Sequence, residues 1–232
     1  MDDKRITSTI KRYKHQQKVN KIVKILLLSI FFVLILAYFV IGIIYNNESF
    51  SITLDRNLYY EQGVIIYDDP NYKVYRSELY AKSPESFDNI SYKWLPEDID
   101  ESNGGSHNGK NYLAYTFFVE NTGSQVVDYY SELLVDDVIK NVDEAVRIRV
   151  YKNSEFVTYA KLSAKNTPEK ETTPFAKDGV ITVDHKTDFK PGDIDKYTIV
   201  LWIEGSHPEC NDNILGGEIK ISMNFVSEHT EI

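Results

Sequence analysis

Acidic residues cluster in one segment of the chain, between positions 204 and 218. Glu204, Glu209, Asp212, Asn213 and Glu218 carry the carboxylate and amide oxygens that calcium accepts as ligands in flexible geometry. Their spacing differs from that of an EF-hand loop, and a solvated acidic connection would use the same residue types. The sequence therefore offers these side chains as weak calcium candidates and predicts no other cofactor.

The histidines could also bind a metal ion: His15, His107, His185, His207 and His229. They form neither an H-E-x-x-H motif nor a pair four residues apart, whereas a catalytic zinc ion needs three converging protein ligands and one open position. Three of them, His107, His185 and His207, fall in predicted loops that the fold could bring together. They support an alternative hypothesis, an envelope-associated metal-dependent hydrolase.

Nucleophilic catalysis has no recognisable motif in the chain. The sequence contains no G-x-S-x-G elbow, no phosphate-binding loop and no dinucleotide fingerprint. The single cysteine, Cys210, excludes an intramolecular disulfide, so the folded part must be stable through its core alone. Cys210 is either a partner in an intermolecular disulfide, a reactive thiol, or a buried or inert small side chain. We accordingly predict no catalytic residue and a protein that is not an enzyme.

The elements that must carry these residues begin with an uninterrupted apolar run over residues 25–45. Its 21 uncharged positions would span about 31 Å as a helix, which matches the hydrocarbon core of a bilayer. The preceding residues 1–24 hold eight Lys and Arg against two Asp, a net charge of +6. Because basic flanks stay on the cytoplasmic side, we expect a single-pass protein of the cell membrane with a cytoplasmic N-terminus and an extracellular C-terminal domain.

A cleaved signal peptide is the main alternative for this apolar run. Signal peptides have a shorter apolar core that ends in small residues at the cleavage site. Here the run continues into Ile43-Ile44-Tyr45-Asn46 without such a pattern. The sequence therefore favours an uncleaved signal anchor, with the lipid bilayer as the partner of residues 25–45. The residues beyond it carry a net charge of −15, which disfavours binding to nucleic acid.

The chain after the apolar run predicts an all-β domain. Short alternating segments such as Val146–Val150 and Ile219–Phe225 are separated by turn residues, with no helical period between them. We predict a juxtamembrane stalk over residues 46–60. Over residues 61–232 we predict an extracellular antiparallel β-sandwich of immunoglobulin-like or jelly-roll type. Residues 1–24 form a basic cytoplasmic tail in this division. The tail supports a third hypothesis, a sensory or adaptor protein that signals through it.

Four stretches resemble a known group of proteins: Asn111–Gly123 (NYLAYTFFVENTG), Asp136–Tyr151, Phe189–Gly205 and Leu215–Phe225. On these residues the chain is similar to uncharacterised membrane-anchored surface proteins of Gram-positive bacteria, a group with no activity to carry over. More distantly, its N-T-G turn and its P-G-D turn before an aromatic strand resemble the TasA/camelysin class. That resemblance implies a jelly-roll-like sandwich and, for some members, assembly into matrix fibres.

Together these features predict a cell-surface protein with a non-catalytic role. Its extracellular sandwich would do structural, adhesive or protein-binding work at the envelope, with an extracellular protein or a cell-wall component as partner. Exposed tyrosine side chains and sheet edges are the surfaces that such contacts use.

Overall fold

A computed structural model describes residues 3–45, 48–74, 76–82, 84 and 88–229 of the 232-residue chain. The chain divides into two compact units after residue 47. The first unit is a helix, and the second is a mainly β domain of two mixed sheets. This confirms the predicted order, an N-terminal apolar helix followed by a β domain.

Helix α1 (Asp3–Tyr45) runs without interruption through both the predicted tail and the predicted span. Within it, Gln16–Gly42 is long and apolar enough to cross a membrane, with a mean hydropathy that reaches 3.0. Its large apolar side chains are exposed rather than packed in a core. By length and composition the helix is compatible with a signal anchor or with a signal peptide.

The described part of the second unit contains twelve strands, which form two sheets. In chain order they are β1 (Glu48–Leu54), β2 (Val64–Tyr67), β3 (Glu78–Lys82), β4 (Gly105–Ser106), β5 (Leu113–Asn121), β6 (Val127–Ile139), β7 (Val146–Lys152), β8 (Glu155–Ala160), β9 (Thr173–Pro174), β10 (Val180–Phe189), β11 (Ile194–Ile203) and β12 (Glu218–Val226). Sheet A has the order β10-β6-β12-β1-β3. Sheet B has the order β2-β5-β11-β7-β8-β9, and β4 also pairs with β5.

Both sheets contain a parallel pair, which corrects the purely antiparallel sandwich predicted from the sequence. β1 runs parallel to β12 and β8 runs parallel to β9. The other strand pairs described are antiparallel. Parallel neighbours cannot be joined by a tight hairpin and so come from separate parts of the chain. Alternation within one strand carries no information about such a distant partner.

The predicted stalk over residues 46–60 is wrong for the described residues from 48 onward. β1 lies inside sheet A between β12 and β3, and its Phe50 and Ile52 are buried. A single π-helical turn, Asn57–Glu61, follows the strand and buries Leu58. These residues form a strand and a helical turn of the β domain. The prediction of a stalk followed from their position next to the apolar helix. The β domain therefore begins at its first strand.

The core between the two sheets is rich in aromatic rings. Phe117 of β5, Tyr197 of β11 and Phe225 of β12 contact one another with ring centroids 5.4–5.9 Å apart. Tyr129 of β6 packs edge-on against Phe225 and donates its hydroxyl hydrogen to Asp195 at 2.6 Å. Burial, with Tyr197 and Asp195 adding to the effect, raises the pKa of Tyr129 above its ordinary value. The buried carboxylate is tolerated because it is hydrogen-bonded.

The cover segment, residues 88–112, packs on the outer face of sheet B. Its Ile90, Leu95 and Ile99 belong to a second buried apolar cluster that includes Trp202 of β11. Two short 3-10 helices shape the segment. Sheet B is therefore buried on both faces under this segment. The outer face of the sheet is open beside the segment.

The N-T-G turn and the P-G-D turn lie next to each other. The Asn121 side-chain amide donates to the carbonyl oxygen of Phe189 at 2.8 Å, and the Asn121 backbone carbonyl oxygen accepts from the Gly192 N–H at 2.7 Å. Glycine is required at Gly123, because a Cβ there would lie 2.2 Å from the carbonyl oxygen of Gln62. The two motifs therefore have a structural role, since together they join the end of β5 to the start of β11.

Candidate functional site

A pocket of about 120 Å³ opens on the outer face of sheet B beside the cover segment. Strand alternation supplies its floor. Arg147 and Arg149 lie two residues apart on β7, with Trp202 of β11 opposite Arg147 and Thr158 of β8 opposite Arg149. Side chains at opposite positions of neighbouring strands share one face of the sheet. The residue between the two arginines, Ile148, points the other way and belongs to the core.

The walls of the pocket come from three separate parts of the chain. The loop after β8 contributes residues 169–172, the residues after β11 contribute Glu204, Ser206 and His207, and the cover segment contributes Tyr92. The volume is below the roughly 300–1,000 Å³ of pockets for cofactors and drug-sized ligands. It is close to that of engineered cavities that hold one benzene ring. The pocket therefore fits one side chain or one chain end of a ligand.

Glu204 is a buried carboxylate with hydrogen bonds to both oxygens. One oxygen accepts from the Tyr92 backbone N–H and from the Trp202 indole N–H, each at 3.1 Å. The other oxygen accepts from the Ser206 hydroxyl at 2.8 Å. Burial of a carboxylate requires such donors. Glu204 thus fixes the cover segment, β11 and the following loop around the pocket.

Arg147 is a buried cation, 4% exposed, at the inner end of the pocket. Its Nη1 donates to the carbonyl oxygens of Val146 at 2.9 Å and Glu144 at 3.4 Å, and its Nη2 lies 3.8 Å from a carboxylate oxygen of Glu169. Burial lowers the pKa of Arg147, whereas the charges of Glu169 and Glu204 oppose that shift. Because a guanidinium stays protonated in proteins, these two carboxylates balance its charge.

His207 forms part of the wall and is hydrogen-bonded on both ring nitrogens. Its Nδ1 accepts from the Glu209 N–H at 3.2 Å, so Nε2 carries the hydrogen and donates to Glu169 at 3.1 Å. The nearby Ser206 hydroxyl donates to Glu204 and not to this imidazole. Acyl transfer needs a histidine nitrogen that can take the proton of a nucleophile. In this arrangement the imidazole instead positions Glu169.

Arg149 lies across the outer end of the pocket and is held by neutral groups. Its Nε donates to the Thr158 hydroxyl at 2.9 Å, and its Nη1 donates to the Tyr151 hydroxyl at 3.3 Å. The guanidinium lies over the ring of Phe156 at 4.5 Å and over that of Trp202 at 5.4 Å. Stacking of this kind fixes the plane of an arginine without neutralising its charge.

The three histidines of the hydrolase hypothesis lie in different places. His107 contacts the Thr116 hydroxyl at 2.9 Å on the outer face of sheet B, and His185 stacks on Tyr130 in sheet A at 4.1 Å. Only His207 lines the pocket. Within the described ranges, no group of three or more His, Cys, Asp and Glu could hold a metal ion. The fold therefore does not bring these three histidines together.

The five calcium candidates also differ in burial and in the elements that carry them. Glu204 is buried and hydrogen-bonded within the pocket, whereas Glu209, Asp212, Asn213 and Glu218 are exposed. Two of the exposed residues lie in a short 3-10 helix, and Glu218 begins β12. Calcium binding at these residues stays a prediction without a preformed site among the residues described.

Cys210 is a free and partly exposed thiol. Burial, with the charges of Asp88 and Glu204 adding to it, raises the pKa of this thiol. The thiolate is the reactive form, so a raised pKa lowers reactivity at neutral pH. These surroundings favour an inert side chain over a reactive thiol.

Sequence reasoning did not single out Arg147, Arg149 or Trp202 as site residues. The V-R-I-R-V alternation predicted a half-buried strand; β7 confirms the strand, but its outward-facing Arg147 is buried as well. Which residues face the two arginines depends on the register of β7 with β11 and β8. A usable signal was the W-I-E sequence of residues 202–204, where β11 ends. Alternation places its aromatic ring and its carboxylate on one face, and likewise places the two arginines of V-R-I-R-V on one face.

Comparisons with known proteins assign no family. No family model and no curated protein matches the sequence. A crystal structure of β-glucosidase from Kluyveromyces marxianus in complex with glucose is 13% identical, with a TM-score of 0.27, over 72% of this chain and 15% of the enzyme. The selenomethionine-labelled form of that enzyme is 12% identical, with a TM-score of 0.25, over 72% of this chain and 16% of the enzyme. Similarity this low carries no argument about fold or activity.

Proposed function

We propose that the chain is a membrane-anchored recognition protein. In this proposal α1 anchors it in the cell membrane with a cytoplasmic N-terminus, as its basic flank favours. The β domain, a sandwich of immunoglobulin-like or jelly-roll type, then faces outward. It binds an extracellular protein or a cell-wall component and catalyses no reaction.

The pocket on sheet B is the observation that carries this proposal. Its floor and its inner end consist of buried groups that are hydrogen-bonded within the domain, above all Arg147, Trp202 and Glu204. A pocket that is already ordered loses little conformational entropy when it binds. Its small volume favours one protruding group of a larger partner over a free cofactor.

The arrangement of polar groups in the pocket supports a non-catalytic role. The histidine at its wall has both ring nitrogens in hydrogen bonds, and the serine beside it donates to Glu204. General acid–base catalysis needs a group that can exchange a proton with the substrate. These groups are committed to holding the walls in place.

Site-specific photocrosslinking of the full chain in its native membrane tests this function. We would place a photoreactive phenylalanine analogue at Lys170, on the pocket rim, where the side chain is 85% exposed. The matched control is Lys190, 62% exposed in the turn before β11 and outside the pocket.

The expected result is a discrete crosslinked partner from position 170 that is absent from position 190. A recognition site on this face accounts for such a difference. Equal crosslinking at both positions, or none at position 170, contradicts the proposal.

A further inference from the structure

Arg149 carries a positive charge for which the described part of the domain supplies no anion. The ion pairs at the pocket join Arg147 and His207 to Glu169, and Lys170 to Glu171. Among the residues that the structure describes, no carboxylate oxygen lies within ion-pair distance of Arg149. A partly buried cation without an anion is costly, and a ligand with a negative charge relieves that cost.

The guanidinium of Arg149 is oriented so that one edge stays available. Its Nε and one N–H of Nη1 donate to the hydroxyls of Thr158 and Tyr151. A guanidinium has further N–H groups on its terminal nitrogens, all in one plane. The rings of Phe156 and Trp202 hold that plane, and Phe156 is 55% exposed, so this end of the pocket reaches solvent. Two parallel N–H groups match the two oxygens of a carboxylate.

Arg147 provides an internal contrast on the same strand. It also lines the pocket, yet its guanidinium donates to the carbonyl oxygens of Val146 and Glu144 and lies near Glu169. Its hydrogen bonds and its charge are thus used within the domain. Two residues further along β7, the partners of Arg149 among the described residues are neutral. Of the two arginines, Arg149 is therefore the one whose charge is not balanced within the described domain.

The surroundings of Arg149 favour a singly charged anion. Glu169 and Glu204 lie in the same pocket, and their own donors keep them from pairing with Arg149. Their negative charges repel a doubly charged phosphate more strongly than a carboxylate. The pocket volume of about 120 Å³ also suits a small planar group.

We infer that the pocket binds a carboxylate group of the extracellular partner and that Arg149 contacts it. The inference rests on the proposed function, because it names the chemistry that the partner presents. The carboxylate belongs either to the end of a peptide chain or to an acidic side chain. Both sources offer the same two oxygens to the guanidinium edge.

The two tryptophans of the chain allow a direct test. Trp202 forms the pocket floor, whereas Trp94 is 73% exposed and does not line the pocket. The full chain in lipid nanodiscs is labelled with fluorotryptophan and followed by fluorine NMR. The probes are N-acetyl-alanyl-alanine, the C-terminal amide of the same peptide, N-acetyl-aspartate N-methylamide and inorganic phosphate.

We expect the free-acid peptide or the aspartate probe to shift the Trp202 resonance in a saturable way and to leave Trp94 unchanged. The stronger of these two identifies the source of the carboxylate. Arg149→Gln should weaken that binding by about 10-fold or more, because charge-assisted hydrogen bonds are lost. The affinity of Arg149→Lys should lie between those of the unsubstituted chain and of Arg149→Gln, since lysine keeps the charge without the planar pair of donors.

The matched control is Arg56→Gln, which removes an exposed arginine that lies over Tyr60 at 5.8 Å and outside the pocket. It should bind the probes as the unsubstituted chain does. Loss of the guanidinium beside Trp202 changes the position of its resonance, so a single sharp Trp202 signal and an unchanged Trp94 signal in the ligand-free Arg149 variants show that the pocket is intact. If those variants do not fold, the test of carboxylate binding is the comparison between the free-acid peptide and its amide, both added to the unsubstituted chain.

Several results overturn the inference while leaving the recognition function in place. An equal response to the peptide amide excludes carboxylate binding, and a response to phosphate alone assigns a different anion. No shift of Trp202 with any probe also contradicts it, as does partner crosslinking at position 170 that survives Arg149→Gln. If position 170 gives no crosslink even when Arg149 is present, the result instead contradicts the recognition function itself.

Discussion

Beside the pocket, the two faces of sheet B differ in the polarity of their buried side chains. On the inner face, β7 and β11 place Ile148, Ile199 and Leu201 in an apolar core. On the outer face, the same strands place Arg147 and Trp202 in a pocket with buried charges. Burial of apolar groups stabilises a fold, whereas buried ion pairs contribute little or even cost stability.

This difference indicates a division of roles between residues that are adjacent in sequence. Inward side chains are selected for packing, because a close-packed interior responds to the loss of even a methyl group. Packing does not explain why the outward side chains in the pocket are charged. We therefore expect inner substitutions to act on unfolding and outer substitutions to act on binding.

The largest expected effect is that of Phe117→Ala in the aromatic core. Removing this buried ring should lower the free energy of unfolding by about 3–5 kcal/mol, through lost burial and a residual cavity. Denaturant unfolding of the full chain, followed by near-ultraviolet circular dichroism, measures the change. The matched control is Phe156→Ala, a half-exposed ring under Arg149 that should cost less than about 1 kcal/mol. Equal losses for both would contradict the division of roles.

A smaller effect is expected for Tyr129→Phe, which deletes one hydroxyl from the core. Oδ2 of the buried Asp195 would lose its 2.6 Å hydrogen bond, since Asn153 and Lys186 contact the other oxygen, at a cost of about 1–3 kcal/mol. The control is Tyr67→Phe at the sheet edge, where Glu120 keeps Lys73 as a partner at 2.6 Å. The same unfolding measurement should give a smaller loss for the control, and the reverse order would be inconsistent with burial as the cause.

The smallest expected effect is a change in pH dependence from His107→Gln. Burial, aided by the charge of Lys196, lowers the pKa of His107 below its ordinary value of 6.5. The unfolded chain therefore binds the proton first as pH falls, so stability is lost below the unfolded pKa until the folded pKa is passed. The slope from this one group is at most about 1.4 kcal/mol per pH unit. Unfolding at about pH 7 and about pH 5 should show a smaller acid loss in the variant, and an identical loss would exclude His107 as a cause.

Local patterns predicted much of the β domain. β5, β7 and β12 confirm strands that were predicted from alternating residues. Their burial does not alternate as simply, since consecutive residues such as 113–117 of β5 and 146–148 of β7 are all buried. β1 was missed although it alternates, since its burial depends on two strands far away in the chain. Pairing of that kind is a property of the whole fold.

The pocket was less predictable than the strands. His207 and Glu204 were singled out as metal ligands, and the structure instead places both in hydrogen-bonded walls. Arg149 was visible only as a polar residue on a strand. Its role depends on rings from two neighbouring strands and on the absence of a carboxylate among the described residues around it. Neither condition is encoded in spacing along the chain.

The parallel pair of β1 and β12 has a consequence for how the domain folds. The hydroxyl of Thr53 on β1 donates to Asn224 on β12, 171 residues later in the chain. During synthesis β1 is among the first strands to be made, yet it must wait for β12 before its side of sheet A can close. Pairing across such a separation is slow, and until then Phe50 and Ile52 have a neighbouring strand on one side only, β3. A nascent chain would therefore depend on protection of its first strand until the last one arrives.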